Sequence, residues 1–213
     1  MKHRHKINLI CSGKNLTASP RWRELLRSFD ELPDCGARGE REWLQSLLAG
    51  KAPMLATPYR PDSVALWPKP FLCQLMPSGL RAILLRSDGL MLDGQIFVAG
   101  WSHLQHLRHN QSEEAWPDES RLQIFDVINS ATQATRLYQL KLLFDRAVAA
   151  DFEPLFPLLV EQVDGLIPIA RLARKHGAMG LVLRNAQGLY KLGSRSGDLV
   201  RLAADTLELG EEK

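Results

Sequence analysis

Three short segments of the sequence place chemically useful side chains beside glycine residues. They read QLMPSGLR (74–81), LDGQI (92–96) and MGLVLR (179–184). Arg81 and Arg184, which end the first and third segments, can pair with phosphate groups. Gln95 can hydrogen-bond a hydroxyl group but offers no charge to a cation. Met76 has a thioether, which has no proton to lose and therefore cannot act as the nucleophile in phosphoryl transfer.

The elements around these segments predict an α+β domain with largely antiparallel sheets. Short apolar stretches separated by Ser-Gly and Asp-Gly turns indicate strands at 71–75, 81–86 and 90–98. Further strands are predicted at 7–10, 122–127, 155–159, 180–184, 189–191 and 199–203. Helical periodicity predicts helices at 20–29 (with Ser19 as N-cap), 40–49, 102–109, 135–150 and 167–176.

The composition of the sequence and its predicted elements change near residue 50. Before it lies a predicted strand followed by two helices, and after it a run of proline-rich loops begins at Pro53. We therefore predict two parts. Residues 1–50 form a basic N-terminal segment of one strand and two helices, and residues 51–213 form the main domain.

Composition limits the class of protein. Of the 213 residues, 45% are hydrophobic and 24% are charged, which is ordinary for a soluble globular protein. The apolar patch after the basic N-terminus, Ile7 to Cys11, is too short for a signal peptide, which favours a cytoplasmic location with no membrane segment. Three cysteines without C-x-x-C spacing favour reduced thiols over a disulfide framework or a zinc site.

Basic residues are concentrated in two segments of a chain whose net charge is only +3. Residues 1–27 contain seven lysines or arginines against one glutamate, and residues 171–201 contain seven against one aspartate. Such segments favour a phosphate-facing surface, with an ordinary solvated face as the alternative. The predicted nucleic-acid-binding residues are Lys2, Arg4, Lys6, Arg21, Arg23, Arg171, Arg174, Lys175, Lys191 and Arg195.

From about residue 53 to residue 203 the chain resembles the adenylation domain of the ATP-dependent DNA ligases, the compact phage-type ligases above all. The three segments match the family motifs K-x-D-G-x-R, L-D-G-E-I and E-G-L-V-L-R in order, and FDV at 125–127 and YKLGSRSG at 190–197 add to the likeness. The nucleotidyltransferase superfamily also includes RNA ligases and mRNA capping enzymes. The resemblance implies two mainly antiparallel sheets flanked by helices.

The same resemblance implies that the catalytic positions have been lost. Met76 replaces the lysine that attacks the α-phosphate of ATP, and Gln95 and Met179 replace two glutamates that engage the ribose and a divalent metal. The last motif has Arg201 and Ala203 where the family has two lysines. A vestigial nucleotide site would consist of Arg81, Phe125, Arg184 and Arg201, with Phe125 as the aromatic that stacks on the nucleobase.

The leading hypothesis is a non-catalytic ligase-like module that binds nucleic acid, DNA in the first place, or scaffolds partners in a DNA-processing complex. It needs no cofactor or metal, and since the given sequence ends ten residues after the last motif, no OB-fold domain is expected. One alternative is an active nucleotidyltransferase that uses ATP, magnesium and another nucleophile such as Lys69. A third is a purely protein–protein subunit.

A run of three histidines was weighed as a metal site. His103, His106 and His109 form H-x-x-H-x-x-H in a predicted helix, but successive histidines rotate by about 300° around it, so three could not share one ion comfortably. A structural or phosphate-facing role is the preferred interpretation.

Overall fold

The computed structural model describes residues 5–11, 14–17, 22–34, 36–60, 62–76, 78–98, 119–145, 152–175 and 178–203. The chain divides into two compact units. Unit 1 contains residues 1–51, 79–130 and 135–154, and unit 2 contains residues 52–78, 131–134 and 155–213. The segment 1–50 thus belongs to unit 1, and its status as a separate domain stays a prediction.

The elements follow one another in a mixed order of strands and helices. The strands are β1 (Ile7–Cys11), β2 (Lys14–Asn15), β3 (Leu55–Pro58), β4 (Phe71–Leu75), β5 (Leu80–Arg86), β6 (Met91–Phe97), β7 (Arg121–Val127), β8 (Phe152–Pro154), β9 (Leu158–Val160), β10 (Gly180–Arg184) and β11 (Arg195–Ala203). The helices are α1 (Arg23–Asp30), α2 (Arg41–Leu48), α3 (Gln133–Asp145) and α4 (Leu166–Lys175).

Each unit has its own sheet. The six-stranded sheet of unit 1 has the order β2-β1-β5-β6-β7-β8, and the five-stranded sheet of unit 2 has the order β3-β11-β10-β4-β9. Neighbouring strands are antiparallel except for β7 with β8 and β3 with β11, which are parallel. The predicted α+β class with mainly antiparallel sheets is therefore confirmed.

In unit 1 the alternation of side chains separates an apolar face of the sheet from a polar one. Leu80, Ala82 and Leu84 of β5 lie in the core, together with residues of β6, β7 and α1. Arg81, between the first two, belongs to the other face, as do Asp93 and Gln95 of β6 by the same alternation. This second face bears the unit's motif side chains.

Helix α4 covers one face of the sheet in unit 2. Its buried residues Leu166, Ala170 and Ala173 recur at helical spacing and join a core with Leu181 and Leu183 of β10. By alternation Val182 and Arg184 lie on the opposite face of that strand. The candidate residues of unit 2 that come from its central strands are therefore on the face away from α4.

Most of the predicted strands are confirmed to within two residues. The strands predicted at 7–10, 71–75, 81–86, 90–98, 122–127 and 180–184 correspond to β1, β4, β5, β6, β7 and β10. The helix predicted at 102–109 lies outside the described residues. None of the described helices is long and apolar enough to cross a bilayer.

Four predicted elements differ from the structure. The strand predicted at 199–203 begins four residues earlier, as β11. The strand expected at 155–159 is wrong in its bounds, because β8 ends at Pro154 and β9 begins only at Leu158, after Pro157. These two strands belong to different sheets. Residues 189–191 contribute only one isolated bridge, Leu189 with Thr132, instead of a strand. Helix α1 begins at Arg23, after the fully buried Trp22, so the start predicted at residue 20 is too early; Ser19 and Pro20 themselves lie outside the described residues.

Candidate functional site

Arg81, the arginine of the first motif, is bound by an aspartate of its own unit. Its Nε donates a hydrogen bond of 2.6 Å to Oδ1 of Asp93, and a second nitrogen binds the other carboxylate oxygen. Asp93 is 1% exposed and the Arg81 side chain 36%. Because a bidentate pair of this kind fixes both partners, Arg81 is held in place by Asp93.

The same guanidinium covers the aromatic ring that the resemblance assigns to nucleobase stacking. The Cζ atom of Arg81 lies 4.9 Å from the centre of the Phe125 ring, within the range of a cation–π contact. One face of Phe125 is therefore occupied by a side chain of unit 1. The structure thus brings the two predicted site residues Arg81 and Phe125 together, and they contact each other.

Gln95 belongs to a row of hydrogen-bonded side chains across three strands. Its Nε2 donates to Oε1 of Gln123 at 2.8 Å, and Nε2 of Gln123 donates to a carboxylate oxygen of Glu153 at 3.0 Å. A carboxylate only accepts, so Glu153 sets the direction of both amides. A glutamate at position 95 would place an acceptor against an acceptor, which explains why an amide is found there.

Two motif glycines are required by packing around this row. A Cβ atom on Gly79 would lie 2.7 Å from Cδ of Gln95 and 2.9 Å from the carbonyl oxygen of Ile96. A Cβ atom on Gly94 would lie 2.3 Å from the carbonyl oxygen of Gln123. Both glycines therefore have a structural reason to be present that involves no ligand.

A second ion pair lies next to the first in the sheet. Asp126 is the cross-strand partner of Asp93 at an irregular point of the β6–β7 register, and each aspartate has its own arginine. Nε of Arg136, on α3, donates to Oδ1 of Asp126 at 2.9 Å, and both side chains are at most 1% exposed. Arg136 lies at the start of the helix predicted at 135–150, but no local pattern in the sequence indicates its partner.

In unit 2 the two motif positions that hold methionine, 76 and 179, are adjacent in the structure. The backbone N–H of Met76 donates to the carbonyl of Gly180 at 2.9 Å, and that of Met179 donates to the carbonyl of Met76 at 2.7 Å. Met76 and Met179 are thus backbone partners where the β4–β10 ladder ends. By the motif resemblance these positions correspond to a lysine and a glutamate, and in this chain both side chains are thioethers.

Arg184 is a buried arginine held by amide side chains. It is 4% exposed, and it donates to Oε1 of Gln133 at 3.1 Å and to Oε1 of Gln74 at 3.3 Å. Gln74 and Arg201 are the two cross-strand partners of Val182, so Arg184 and the exposed Arg201 lie on the same face of the sheet. Those two predicted residues are neighbours, one buried and one exposed.

Two other candidate nucleophiles near Met76 do not replace the missing lysine. Burial raises the pKa of the Cys73 thiol to about 11, so it is protonated and unreactive at neutral pH. Lys69 precedes β4 while Met76 follows it, and the five residues of that strand span roughly 17 Å. A lysine side chain has only a four-carbon stem, so Lys69 cannot take the place of Met76.

The predicted nucleic-acid-binding residues occupy several elements. Lys2, Arg4 and Arg21 lie outside the described residues, while Lys6 and Arg23 are exposed in unit 1. Arg171, Arg174 and Lys175 are exposed on the last turns of α4. Lys191 binds Asp198 at 3.0 Å, and Nη1 of Arg195 donates to the carbonyl of Ala56 at 2.6 Å. Among those that the structure describes, the three α4 residues are the ones that form a continuous group.

Comparison with known proteins gives a likeness in structure alone. No protein-family model matches the sequence, and no curated protein matches it. A structure of a Lig E DNA ligase matches with a TM-score of 0.57 at 16% identity, over 71% of this chain and 68% of that one. The Chlorella virus DNA ligase-adenylate matches with a TM-score of 0.59 at 17% identity, over 72% and 67%. The ligase domain of M. tuberculosis LigD matches with a TM-score of 0.52 at 17% identity, over 72% and 59%.

The chain has the fold of a DNA ligase catalytic domain. These structures are adenylation or nucleotidyltransferase domains of ATP-dependent DNA ligases, so the resemblance drawn from the motifs is confirmed at the level of fold. At 16–17% identity the likeness does not extend to activity.

ATP and magnesium, which the ligase fold implies, do not fit the residues present. Met76 supplies no amine, Gln95 is engaged by Gln123, and Arg81 is paired with Asp93 above Phe125. Within the described residues no group of three or more His, Cys, Asp or Glu side chains could hold a metal ion. The three histidines at 103, 106 and 109 lie outside the described residues.

Proposed function

We propose that this protein is a non-catalytic module with the ligase fold that binds nucleic acid, DNA in the first place, and works within a DNA-processing complex. The observation that carries the proposal is the pairing of Met76 with Met179 at the end of the β4–β10 ladder. Nucleotidyl transfer needs an amine to form the covalent intermediate, and two thioethers provide neither the nucleophile nor a metal-binding carboxylate.

The remaining motif residues support the same proposal. Arg81, Asp93, Gly79 and Gly94 each have a partner or a packing constraint within unit 1. They are accounted for without ATP or a metal ion, and neither cofactor is part of the proposed function. A cytoplasmic location is part of it, consistent with the buried Cys11 and Cys73, neither of which is in a disulfide bond.

The nucleic-acid part of the proposal rests on helix α4. Arg171, Arg174 and Lys175 are spaced by three and four residues, so they lie close together on the exposed side of the helix, and α4 contains no acidic residue. Three neighbouring cations suit successive phosphates of a nucleic-acid backbone. Lig E DNA ligases, which share the fold, bind DNA with a minimal scaffold.

A binding titration tests this part. Labelled duplex DNA of about 20 base pairs and a single-stranded RNA of equal length are titrated with the full chain at about 50 mM and about 200 mM salt. The proposal expects DNA binding that weakens with salt. Reversing the α4 charges (Arg171→Glu, Arg174→Glu, Lys175→Glu) should weaken it by about tenfold or more and reduce the salt slope by about 3.

The matched control reverses three exposed basic residues elsewhere, Arg41, Lys51 and Arg60, with the same change in net charge. It should cost less than about threefold in affinity, since only the long-range field changes. Equal losses in both variants would show that α4 is not the contact surface. Absence of any binding at micromolar protein and low salt would refute the nucleic-acid proposal altogether.

A further inference from the structure

An uncharged apolar segment forms one edge of the sheet in unit 2. Residues 155–160 read LFPLLV and include strand β9, the last strand in the order β3-β11-β10-β4-β9. Among the described residues β9 pairs with β4, and no strand pairs with its other side. We call residues 155–160 the β9 edge. It presents open backbone groups, as every edge strand does.

Leucines are exposed on both faces of this edge. Leu158 is 67% exposed and Leu159 68%, and successive residues of a strand point to opposite faces. Their cross-strand partners on β4, Cys73 and Leu72, are buried. Phe156 is 47% exposed as well. Exposed leucines on both faces are unusual for an edge strand, because apolar side chains on both faces are typical of strands inside a sheet.

The β9 edge has some of the common protections of an edge strand, since β9 is only three residues long, but it has no charge of its own. Natural edges have charged residues, prolines or bulges that discourage pairing with another chain. The β9 edge has Pro157 before the strand and the exposed Glu161 after it, with no charge within residues 155–160. Exposed apolar side chains with no charge among them are a kind of surface that other proteins can bind.

We propose that the β9 edge binds an extended, uncharged apolar segment of another protein, which adds to β9 as a sixth strand. In this mode the main-chain hydrogen bonds give affinity and alternate side chains give specificity. The incoming apolar side chains would cover Leu158 on one face and Leu159 on the other. The absence of cations in residues 155–160 disfavours nucleic acid, whose binding depends on Lys and Arg contacts to phosphate.

The size of the surface favours a single peptide strand over a second copy of this chain. The exposed apolar side chains of the β9 edge offer only a few hundred Å². A stable protein–protein interface buries about 800 Å² on each partner, and strand β9 has three residues. A peptide that wraps one edge needs less area, so it is the occupant that the surface fits.

Selection from a peptide library tests the proposal. The probe is a displayed library of random peptides of about 12 residues, selected on the full chain. The expected peptides have apolar residues at alternate positions and few charges, and they slow amide hydrogen exchange at residues 158–160. Leu159→Lys should weaken their binding by about tenfold or more, because a charge at an edge opposes strand addition.

The matched control is Leu66→Lys, which adds the same charge at a leucine of unit 2 that is 97% exposed and lies outside the β9 edge. It should leave peptide binding unchanged, and both variants should keep the thermal midpoint within about 3 °C. The affinity for DNA should be the same in Leu159→Lys as in the unchanged chain, which separates this proposal from the nucleic-acid one.

Three results would overturn the proposal. One is a selection that enriches no peptide. Another is peptides that bind Leu159→Lys and Leu66→Lys equally or protect amides outside the edge. The third is a molecular mass that rises with concentration and returns to the monomer in Leu159→Lys, because the occupant would then be a second copy.

Discussion

The two units differ at the positions that the resemblance to the ligase motifs singles out. In unit 1, Arg81 and Asp93 remain and bind each other, and Gln95 fits into a row that ends at Glu153. In unit 2, the two motif positions at the end of the β4–β10 ladder have become Met76 and Met179. Unit 1 thus has an internal ion pair beside the uncharged Gln95, whereas unit 2 has two methionines at the end of the ladder and keeps the buried Arg184.

The difference separates charge that stabilises the fold from charge that serves chemistry. A buried charge is costly unless a partner compensates it, so Asp93 and Asp126 persist together with Arg81 and Arg136. In the non-catalytic module that we propose, a lysine and a glutamate that face a substrate would have no such constraint. The motif residues that remain in this chain are therefore explained by side-chain packing and ion pairing.

The largest effect is expected from breaking the fully buried pair in unit 1. Replacing Arg136 by alanine leaves Asp126 buried without its arginine and should lower the free energy of unfolding by about 3–5 kcal/mol. Urea denaturation followed by circular dichroism measures this. Lys141→Ala, which removes an exposed pair with Asp145, should cost less than about 1 kcal/mol. A similar cost for both would contradict the structural reading of unit 1.

Replacing Gln95 by the glutamate of the family motif should lower the free energy of unfolding. In Gln95→Glu the new carboxylate faces Oε1 of Gln123, so two acceptors meet. If the amide of Gln123 turns over to donate to the new carboxylate, its Oε1 then faces the carboxylate of Glu153, and two acceptors meet there instead. We expect a loss of about 1–3 kcal/mol at pH 7, the cost of an unsatisfied buried polar group.

The stability loss of Gln95→Glu should also depend on pH in a definite direction. The crowded carboxyl should have a raised pKa in the folded variant, so the folded state binds the extra proton more tightly. The loss then grows as pH rises above the unfolded carboxyl value of about 4.3 and shrinks below it. Gln45→Glu, at an exposed position of α2, should show neither effect. An unchanged stability for Gln95→Glu would mean that the row does not select an amide.

A third charged pair of unit 1 sets part of the acid stability. Burial raises the pKa of Asp88, but hydrogen bonds and attraction from Arg86 outweigh it, and the net pKa lies below the ordinary value of 3.8. Arg86 also donates to the carbonyls of Phe29 and Leu32 at 2.9 Å, so it ties this pair to the end of α1.

Because the folded pKa of Asp88 is lowered, its contribution is present above pH 3.8 and is lost as pH falls through the folded value. Asp88→Asn should therefore cost about 1–2 kcal/mol at pH 7, and the difference from the unchanged chain should vanish in acid. Asp34→Asn, at a pair whose side chains are more than half exposed, should show a smaller and flatter difference. A difference that grew in acid would contradict the assignment.

The smallest effect is expected at the methionines of unit 2. The double variant Met76→Lys, Met179→Glu restores a complementary pair at partly exposed positions and should change the free energy of unfolding by less than about 0.5 kcal/mol. Thermal and urea unfolding measure it. A loss above about 2 kcal/mol would show that the thioethers are packing residues, which would weaken the contrast between the units.

The fold could be predicted from the sequence because its strands are marked by local signals. Alternation and Asp-Gly turns place β5 and β6 to within a residue or two, and the motif order led to the ligase fold. The stretch 155–159 misled because a short apolar run does not show at which residue a strand begins. In the structure β8 ends at Pro154 and β9 begins at Leu158, after Pro157, and a proline cannot donate a ladder hydrogen bond.

The candidate site could be predicted only as a set of positions. Register could have suggested the Arg81–Asp93 pair, since a hairpin places residue 81 opposite residue 95 and near residue 93. The pairing of Gln95 with Gln123 and Glu153 depends on strands that meet through tertiary structure. The adjacency of Met76 and Met179, about a hundred residues apart in sequence, follows from the order of strands in the sheet, which no local pattern encodes.

The most direct test of the central claim, that the ligase fold here has lost nucleotidyl transfer, is an adduct assay. The full chain is incubated with ATP or GTP labelled at the α-phosphate, with magnesium or manganese, and a label that survives denaturation is counted. The unchanged chain, Met76→Lys and Lys69→Ala are compared side by side.

The account predicts no adduct in any of the three, because Gln95 and Met179 remain even when a lysine is restored at position 76. A labelled adduct in the unchanged chain would contradict the account outright, and its loss in Lys69→Ala would name the nucleophile. An adduct in Met76→Lys alone would contradict the claim that the loss extends beyond the nucleophile.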